Sequence, residues 1–474
     1  MTAPGQVHVV GAGLAGLAAA VALAHAGRRV TLYESAEHAG GRCRSYLDGD
    51  LGVRIDNGNH LLLAGNQSAM TYLGLIDALA TFEGPGAAAV PFVDLASGER
   101  WTLRPNRGAL PWWMLMPGRR VPGSRARDYL AARRLRDAGP EDTIAGRLDP
   151  AGLLYRRLWQ PVAVAALNTS AEAGSAILFW RILRETLGRG AAACRPLVPR
   201  EGLSESFVDP ALAMLRASGA QLRFAARLRA IHFHGRRADE LNFDNGLVDI
   251  GDRDQVVLAV PAPVAARLVP DLTVPDDHAP IVNAHYRIAP PAGMPLFAGL
   301  VGGAAEWVFR KHGVVSVTVS AADRIVDWPA GELGDILWRD VAAAFGLPPQ
   351  PTPPCRIVKE RRATFRATPA QLRRRPGPAT RWNNLLLAGD YVDTGLPATI
   401  EGAIRSGLAA AEAVATSLGA RLPGARVTAG RADQFSAERS DATRFDADAA
   451  SRDKARLARQ RGGAGGAVAA VAPA

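Results

Sequence analysis

Six residues near the start of the chain, Gly11-Ala12-Gly13-Leu14-Ala15-Gly16, have the spacing that cradles a pyrophosphate. Gly11 permits a tight turn. Gly13 lets the backbone approach phosphate oxygens, and Gly16 lets the following helix pack closely on the strand before it. The N-terminus of the helix that follows offers unpaired N–H groups and a positive dipole end that favour an anion, and Leu14 and Ala15 are expected with the cofactor. Glu34 follows at the usual interval of about 20 residues. Its carboxylate can accept both hydroxyls of a ribose and would repel a 2′-phosphate. A glycine turn in an α/β domain with no ligand is the plain alternative, but the strand, turn, helix and acid occur in the order a dinucleotide site requires.

Local elements must hold these residues in place. Val7-His8-Val9-Val10 is a short β-branched run, Leu17 to Ala26 reads as an Ala/Leu helix with Gly27 as its C-cap, and Val30 to Glu34 is the next strand. This is a βαβ unit, with a right-handed crossover expected. Two later segments read as buried strands: Gln255 to Val260, ended by Pro261, and Leu385 to Asp390, followed by a loop and a helix over about 397–418. The Pro- and Trp-bearing stretches between them lack βαβ rhythm. The fold expected is α/β: a Rossmann-like dinucleotide domain from 1–80, 195–275 and 380–421, interrupted by a mixed α+β substrate domain from 81–194 and 276–379. Residues 422–474, Ala/Gly/Arg/Asp-rich, read as a low-complexity, disordered tail, with a charged helix within 434–461 as one element of it. No internal repeat is visible.

Beyond Glu34 stands Ala39-Gly40-Gly41-Arg42-Cys43-Arg44-Ser45, an element that simple NAD dehydrogenases lack. Here the chain resembles the flavin-containing amine oxidase and carotenoid desaturase superfamily, an amine-oxidase-like fold that binds FAD. The resemblance implies that Gly40, Gly41 and Arg42 track the FAD pyrophosphate and ribityl chain. It also implies that Val260 belongs to a mid-chain strand beside the adenine half. Gly389 and Asp390, with Thr399, Ile400, Glu401 and Ala403, match the superfamily's closing FAD motif. More specific strings follow: Asp56-Asn57-Gly58-Asn59-His60, Trp101 to Asn106, Leu167-Asn168-Thr169, and Cys194 to Ser204. Together they look like the hydroxysqualene dehydroxylase family of bacterial hopanoid synthesis, over about residues 7–418. That likeness implies reductive removal of a hydroxyl from hydroxysqualene to give squalene. It also implies a long-chain isoprenoid substrate and a separate reductant for the flavin. Asn57, Gly58 and Asn59 would lie with the cofactor. No cysteine lies in Gly389 to Gly407, so the FAD is expected to be non-covalent. Asn283-Ala284-His285-Tyr286 departs from the apolar residues expected before the substrate cavity.

Loss of a hydroxyl as water calls for a proton donor. His60 is one candidate; its alternative is to order a loop by bonding backbone carbonyls. Glu201 is the other, on a loop that the resemblance turns toward the cavity. Asn57 and Asn59 suit side-chain-to-backbone bonds. Arg42 and Arg44 suit phosphate or loop contacts, because Arg does not deprotonate. The nine histidines are scattered, so no metal is expected, and no nucleophile triad can be assembled.

Residues 104–136 are basic and partly apolar: Trp112-Trp113-Met114-Leu115-Met116 is followed by Arg119, Arg120, Arg125, Arg127, Arg133, Arg134 and Arg136, with Asp128 the only acid. Aromatics with arginines suit a headgroup-level segment; a core Trp pair beside a solvated basic face is the alternative. The whole chain of 474 residues carries 56 basic and 45 acidic side chains, a net charge of +11, which favours an anionic partner. Only Lys311, Lys359 and Lys454 are lysines. Three cysteines make no disulfide framework, no leader pattern is seen, and no long uninterrupted apolar run stands outside the first helix. A cytoplasmic protein attached peripherally to the inner membrane is therefore expected, with an anionic membrane surface as partner. The rival readings are a carotenoid or phytoene-type desaturase, an amine oxidase, and a basic nucleic-acid binder; the last lacks any recognition motif, so no nucleic acid is expected.

Overall fold

A computed structural model describes residues 5–311 and 313–418. The tail expected from 422, and the helix within 434–461, lie outside the described residues. A parallel five-stranded sheet runs in the order Gln221–Arg223, Arg29–Tyr33, Gln6–Val10, Gln255–Leu258, Leu385–Leu387. Its strands are short apolar runs because both faces are covered. The first helix, Leu14–His25, is buried at every position except its last, as an all-round apolar helix must be. It starts three residues earlier than the expected Leu17, because Gly13 supplies the extended N-cap. Gly27 takes the left-handed conformation just beyond the end, at φ 72°.

The closing helix is Ile400–Ser417, shorter at its start than the expected span, because Thr399 caps it by accepting from the Gly402 amide at 3.1 Å. It packs on the first helix so closely that a Cβ on Gly407 would lie 2.1 Å from the Ala15 carbonyl oxygen. The middle strand ends at Leu258, two residues before the expected Val260.

The second sheet has seven strands in the order Cys355–Phe365, His278–Arg287, Val314–Val319, Trp307–Lys311, Phe297–Val301, Val90–Asp94, Arg100–Leu103. All neighbours are antiparallel except Phe297–Val301 beside Val90–Asp94. Alternation splits its side chains. Val282, Ala284, Tyr286, Val315 and Val317 pack against the helix Ala330–Phe345, where the Tyr286 hydroxyl donates to the Gly334 carbonyl at 2.7 Å. Asn283, His285, Ser316 and Thr318 take the opposite face and are nonetheless buried. No helix among the described residues is long and apolar enough to cross a membrane.

Candidate active site

The glycine turn is built as its residue types require. Gly11 sits at φ 106°, and a Cβ there would lie 2.4 Å from the Ala259 carbonyl oxygen. On Gly16 it would meet the Gly11 carbonyl oxygen at 1.8 Å, whereas on Gly13 it would meet nothing within 4 Å. Gly11 and Gly16 are thus fixed by protein packing, and Gly13 alone faces open space. Glu34 is locked beside the turn: its carboxylate accepts from the Ala12 amide at 2.8 Å and the Ala36 amide at 2.9 Å. Val260 lies just past its strand, against the same turn.

The Gly40–Cys43 loop docks on this turn through the Gly40 amide, which donates to the Ala12 carbonyl at 2.8 Å. Arg42 reaches Asp390 at 2.9 Å and also donates to the Ala363 carbonyl. Arg42 and Asp390, 348 positions apart in sequence, are thereby one pair. The loop after Asp390 is tied from beneath by the buried Arg375, whose guanidinium donates to the carbonyls of Leu396 at 2.7 Å and Val392 at 2.5 Å, and to those of Tyr391 and Asp390 at longer range. Burial drives its pKa down to about 10, so it is still charged at neutral pH. Sequence reasoning missed Arg375, since nothing marks it among Arg373, Arg374 and Arg375.

FAD fits this cradle. The half-exposed Gly11, Gly13 and residues 398–400 and the exposed Gly41, with the openings of two long helices, could hold an extended diphosphate, and Glu34 could hold a ribose. Glu401 was expected with the cofactor, but its carboxylate accepts from the Ser68 and Ala69 amides at 3.0 and 2.8 Å and pairs with Arg405 at 3.0 Å. Its side chain therefore caps the helix Gln67–Leu75.

The Asp56–His60 loop sits on the polar face of the seven-stranded sheet. Buried Asp56 accepts from Ser45 at 2.6 Å and from the Leu203 amide at 2.9 Å, and pairs with Lys311. Asn59 donates to the Thr318 hydroxyl at 3.1 Å, which donates to Asn283 at 2.7 Å. The Asn283 amide reaches the Asn57 carbonyl at 3.5 Å, and a Cβ on Gly58 would lie 3.2 Å from that amide nitrogen. His285 shares a hydrogen bond with Ser316 at 2.8 Å, while its buried Nε2 has no partner. The Asn283-Ala284-His285-Tyr286 departure is thus the platform for the loop. Asn168 is structural: in a left-handed conformation, it holds the Ala279 carbonyl, Thr364 and the Ala321 amide.

The same face carries a row in register across the sheet: Trp101, Phe92, Gly299, Trp307, Thr318, Asn283. Gly299 has no side chain, so Phe92 and Trp307 meet over it with ring centroids 5.6 Å apart; a Cβ would strike Phe92 at 2.6 Å. Phe92 stacks on Trp101 at 5.5 Å. One end of the row is polar and touches the loop, and the other is aromatic.

The two candidate acids fare differently. His60 is half-buried in the loop. Burial, opposed by Asp56 but reinforced by Lys311 and Arg42, lowers its pKa to about 4, so it is neutral at pH 7. Glu201 is exposed. One carboxyl is held near neutrality instead: burial raises Glu306 to about 7, although its Oε2 accepts from the Ser320 amide at 2.8 Å. Glu306 directly precedes Trp307 and, paired with Leu300, takes the opposite, helix-covered face of the sheet.

Residues 14–415 match the family model described as flavin containing amine oxidoreductase. The chain is 47% identical to hydroxysqualene dehydroxylase of Zymomonas mobilis over 405 residues, which is 85% of this chain and 98% of that protein. It is also 47% identical to the Rhodopseudomonas palustris hydroxysqualene dehydroxylase over 409 residues, 86% and 98% of the two chains. Among solved structures, cyclohexylamine oxidase from Brevibacterium oxydans aligns with a TM-score of 0.63 at 15% identity, over 88% of this chain and 100% of that one. That likeness speaks for the fold.

Proposed function

The chain belongs to the flavin containing amine oxidoreductases and, within them, to the hydroxysqualene dehydroxylases, and from that membership we propose that it converts hydroxysqualene to squalene and water, a step of hopanoid synthesis. The near-full-length match to hydroxysqualene dehydroxylases carries this reading. Replacing C–OH by C–H consumes two electrons and two protons and releases one water. Bound FAD, held without a covalent link and recharged by a separate reductant, supplies the reducing equivalents.

In this reading the protein's own residues bind, orient, keep water out and handle the proton. Gly11, Gly13 and Gly16 with Glu34, and Gly40 to Arg42 with Asp390, hold the cofactor. Asn59, Thr318 and Asn283 fix the loop that borders it. Trp307, Phe92 and Trp101, buried in the apolar core, keep that side of the sheet dry, which protects an allylic cation from capture by water. The hydroxyl needs hydrogen-bond donation as it leaves. His60, neutral at pH 7, can donate an N–H to the oxygen, whereas the proton itself is better supplied by a group that titrates near neutrality. Glu306 titrates there but stands opposite Leu300 on the helix-covered face of the sheet, away from the row, so the proton passes through His60 or comes from the exposed Glu201. We place the reaction at the cytoplasmic face of a membrane, where so apolar a substrate resides.

Anaerobically reduced enzyme mixed with hydroxysqualene should form one squalene per flavin oxidised, identified by mass. Oxidised enzyme that instead inserts double bonds into a polyene would support the desaturase reading. His60→Ala should slow flavin reoxidation by hydroxysqualene by about 100-fold; a change below about threefold, with FAD still bound, would pass the acid role to Glu201.

A further inference from the structure

We propose that the loop over residues 107–118 is a membrane-docking element that inserts its apolar side chains among anionic lipids and opens the aromatic row to a bilayer-borne substrate. The exposed large apolar residues of the described chain concentrate here. Leu110 is 80% exposed, Leu115 70%, and Trp112 and Met116 45% each, with Leu130 close by in sequence. An apolar cluster of this kind on a protein surface calls for a partner. The paired tryptophans divide the work. Trp113 is 1% exposed, packs edge-on against Tyr129 at 5.2 Å and is anchored by its amide donating to Asn106 at 3.0 Å. Trp112 points outward beneath the Arg119 guanidinium, 5.2 Å from the ring centroid. The expectation that both tryptophans meet the interface is thus corrected: one roots the loop and the other is presented.

Charge selects the occupant. Arg107, Arg125, Arg127, Arg133 and Arg134 are exposed in the same stretch of chain, 104–136. Asp128, the only acid within 104–136, is already committed to the Arg125 amide at 2.7 Å. Apolar tip, aromatic shoulder and arginine collar match acyl chain, interface and headgroup phosphate in that order. Position argues for the same occupant. The loop grows directly from the strand Arg100–Leu103, whose Trp101 begins the row that ends at Asn283 and Asn59. This step rests on the isoprenoid reading above; the surface itself does not.

The test uses the full-length FAD-loaded protein and sedimentation with 3:1 phosphatidylcholine:phosphatidylglycerol vesicles, against pure phosphatidylcholine. Wild type should partition at least about tenfold better onto the anionic vesicles. L110S/W112S/L115S should reduce that partition by about 100-fold with flavin content unchanged, while L247S, at an exposed site on another sheet, should leave it within twofold. In turnover, the triple variant should match wild type on detergent-dispersed hydroxysqualene and fall behind on vesicle-embedded hydroxysqualene. Unaltered vesicle binding by the variant would overturn the proposal. So would a wild-type dimer that the variant converts to monomers without any vesicle binding, which would make the patch a contact between copies. A wild type that binds vesicles but turns over no hydroxysqualene would sink the functional reading and leave the docking element standing.

Discussion

The glycine turn and the Asp56–His60 loop both border the cofactor cradle, yet they are held in different ways. The turn is closed by near neighbours: the Ala12 amide meets Glu34, 22 positions away. The loop is closed by strangers: Asn59 meets Thr318, 259 positions away, and Asp56 meets Lys311, 255 away. In the turn each residue's task follows from its own backbone freedom or lack of a side chain. In the loop the same types, Asn and Asp, could have formed local turns; what they do depends on the polar face that alternation places beneath them. The turn needs one distant neighbour, the Ala259 backbone behind Gly11, whereas the loop is only as good as the whole sheet that carries it.

The largest effect should come from separating the two kinds of glycine. Gly16→Val forces a side chain into the Gly11 carbonyl and should cost about 3 kcal/mol or more, measured by denaturant unfolding. Gly13→Val has room in the protein and should unfold within about 0.5 kcal/mol of wild-type apoprotein, yet lose FAD more than about 100-fold. If Gly13→Val destabilised the apoprotein as strongly as Gly16→Val, the turn would owe its glycines to packing alone.

Next is the loop's buried ion pair. Asp56→Asn leaves Lys311 without its counter-charge and should cost about 3 kcal/mol. Adding Lys311→Met should restore a good part of that loss. No recovery in the double variant would mean that Asp56 acts through Ser45 and Leu203, making the loop more local than the comparison claims.

The effect that vanishes at neutral pH, and so is smallest there, is a pH dependence centred on the sheet beneath the loop. Burial holds His285 near pKa 4 in the folded protein against about 6.5 unfolded. The unfolded chain then binds more protons between those values, so stability is full above pH 6.5 and is lost as pH falls toward 4, by about 3 kcal/mol for this residue. His285→Gln should flatten that decline by a similar amount in urea titrations at pH 4.5 and 7. An unchanged slope would assign the acid sensitivity to His60, whose pKa is depressed in the same direction.

The sequence by itself determined the dinucleotide half. The glycine spacing, the short apolar strands and Glu34 act within one βαβ unit, so type and spacing are enough to read them. Its edges shifted by a few residues, since caps such as Gly13 and Thr399 set helix starts more finely than composition does. The family strings likewise marked the Asp56–His60 loop as special without showing what it rests on. Tertiary structure alone decided that Asn283 and Thr318 carry it and that Arg375 ties the Asp390 loop. It also decided that Glu401 caps a helix, that Glu201 faces solvent, and that Trp112 and Trp113 part company. Each of these depends on which face of a strand or turn a side chain takes and on what distant segment meets it. Burial, which sets the charge of His60 and Glu306, exists only once those segments have packed.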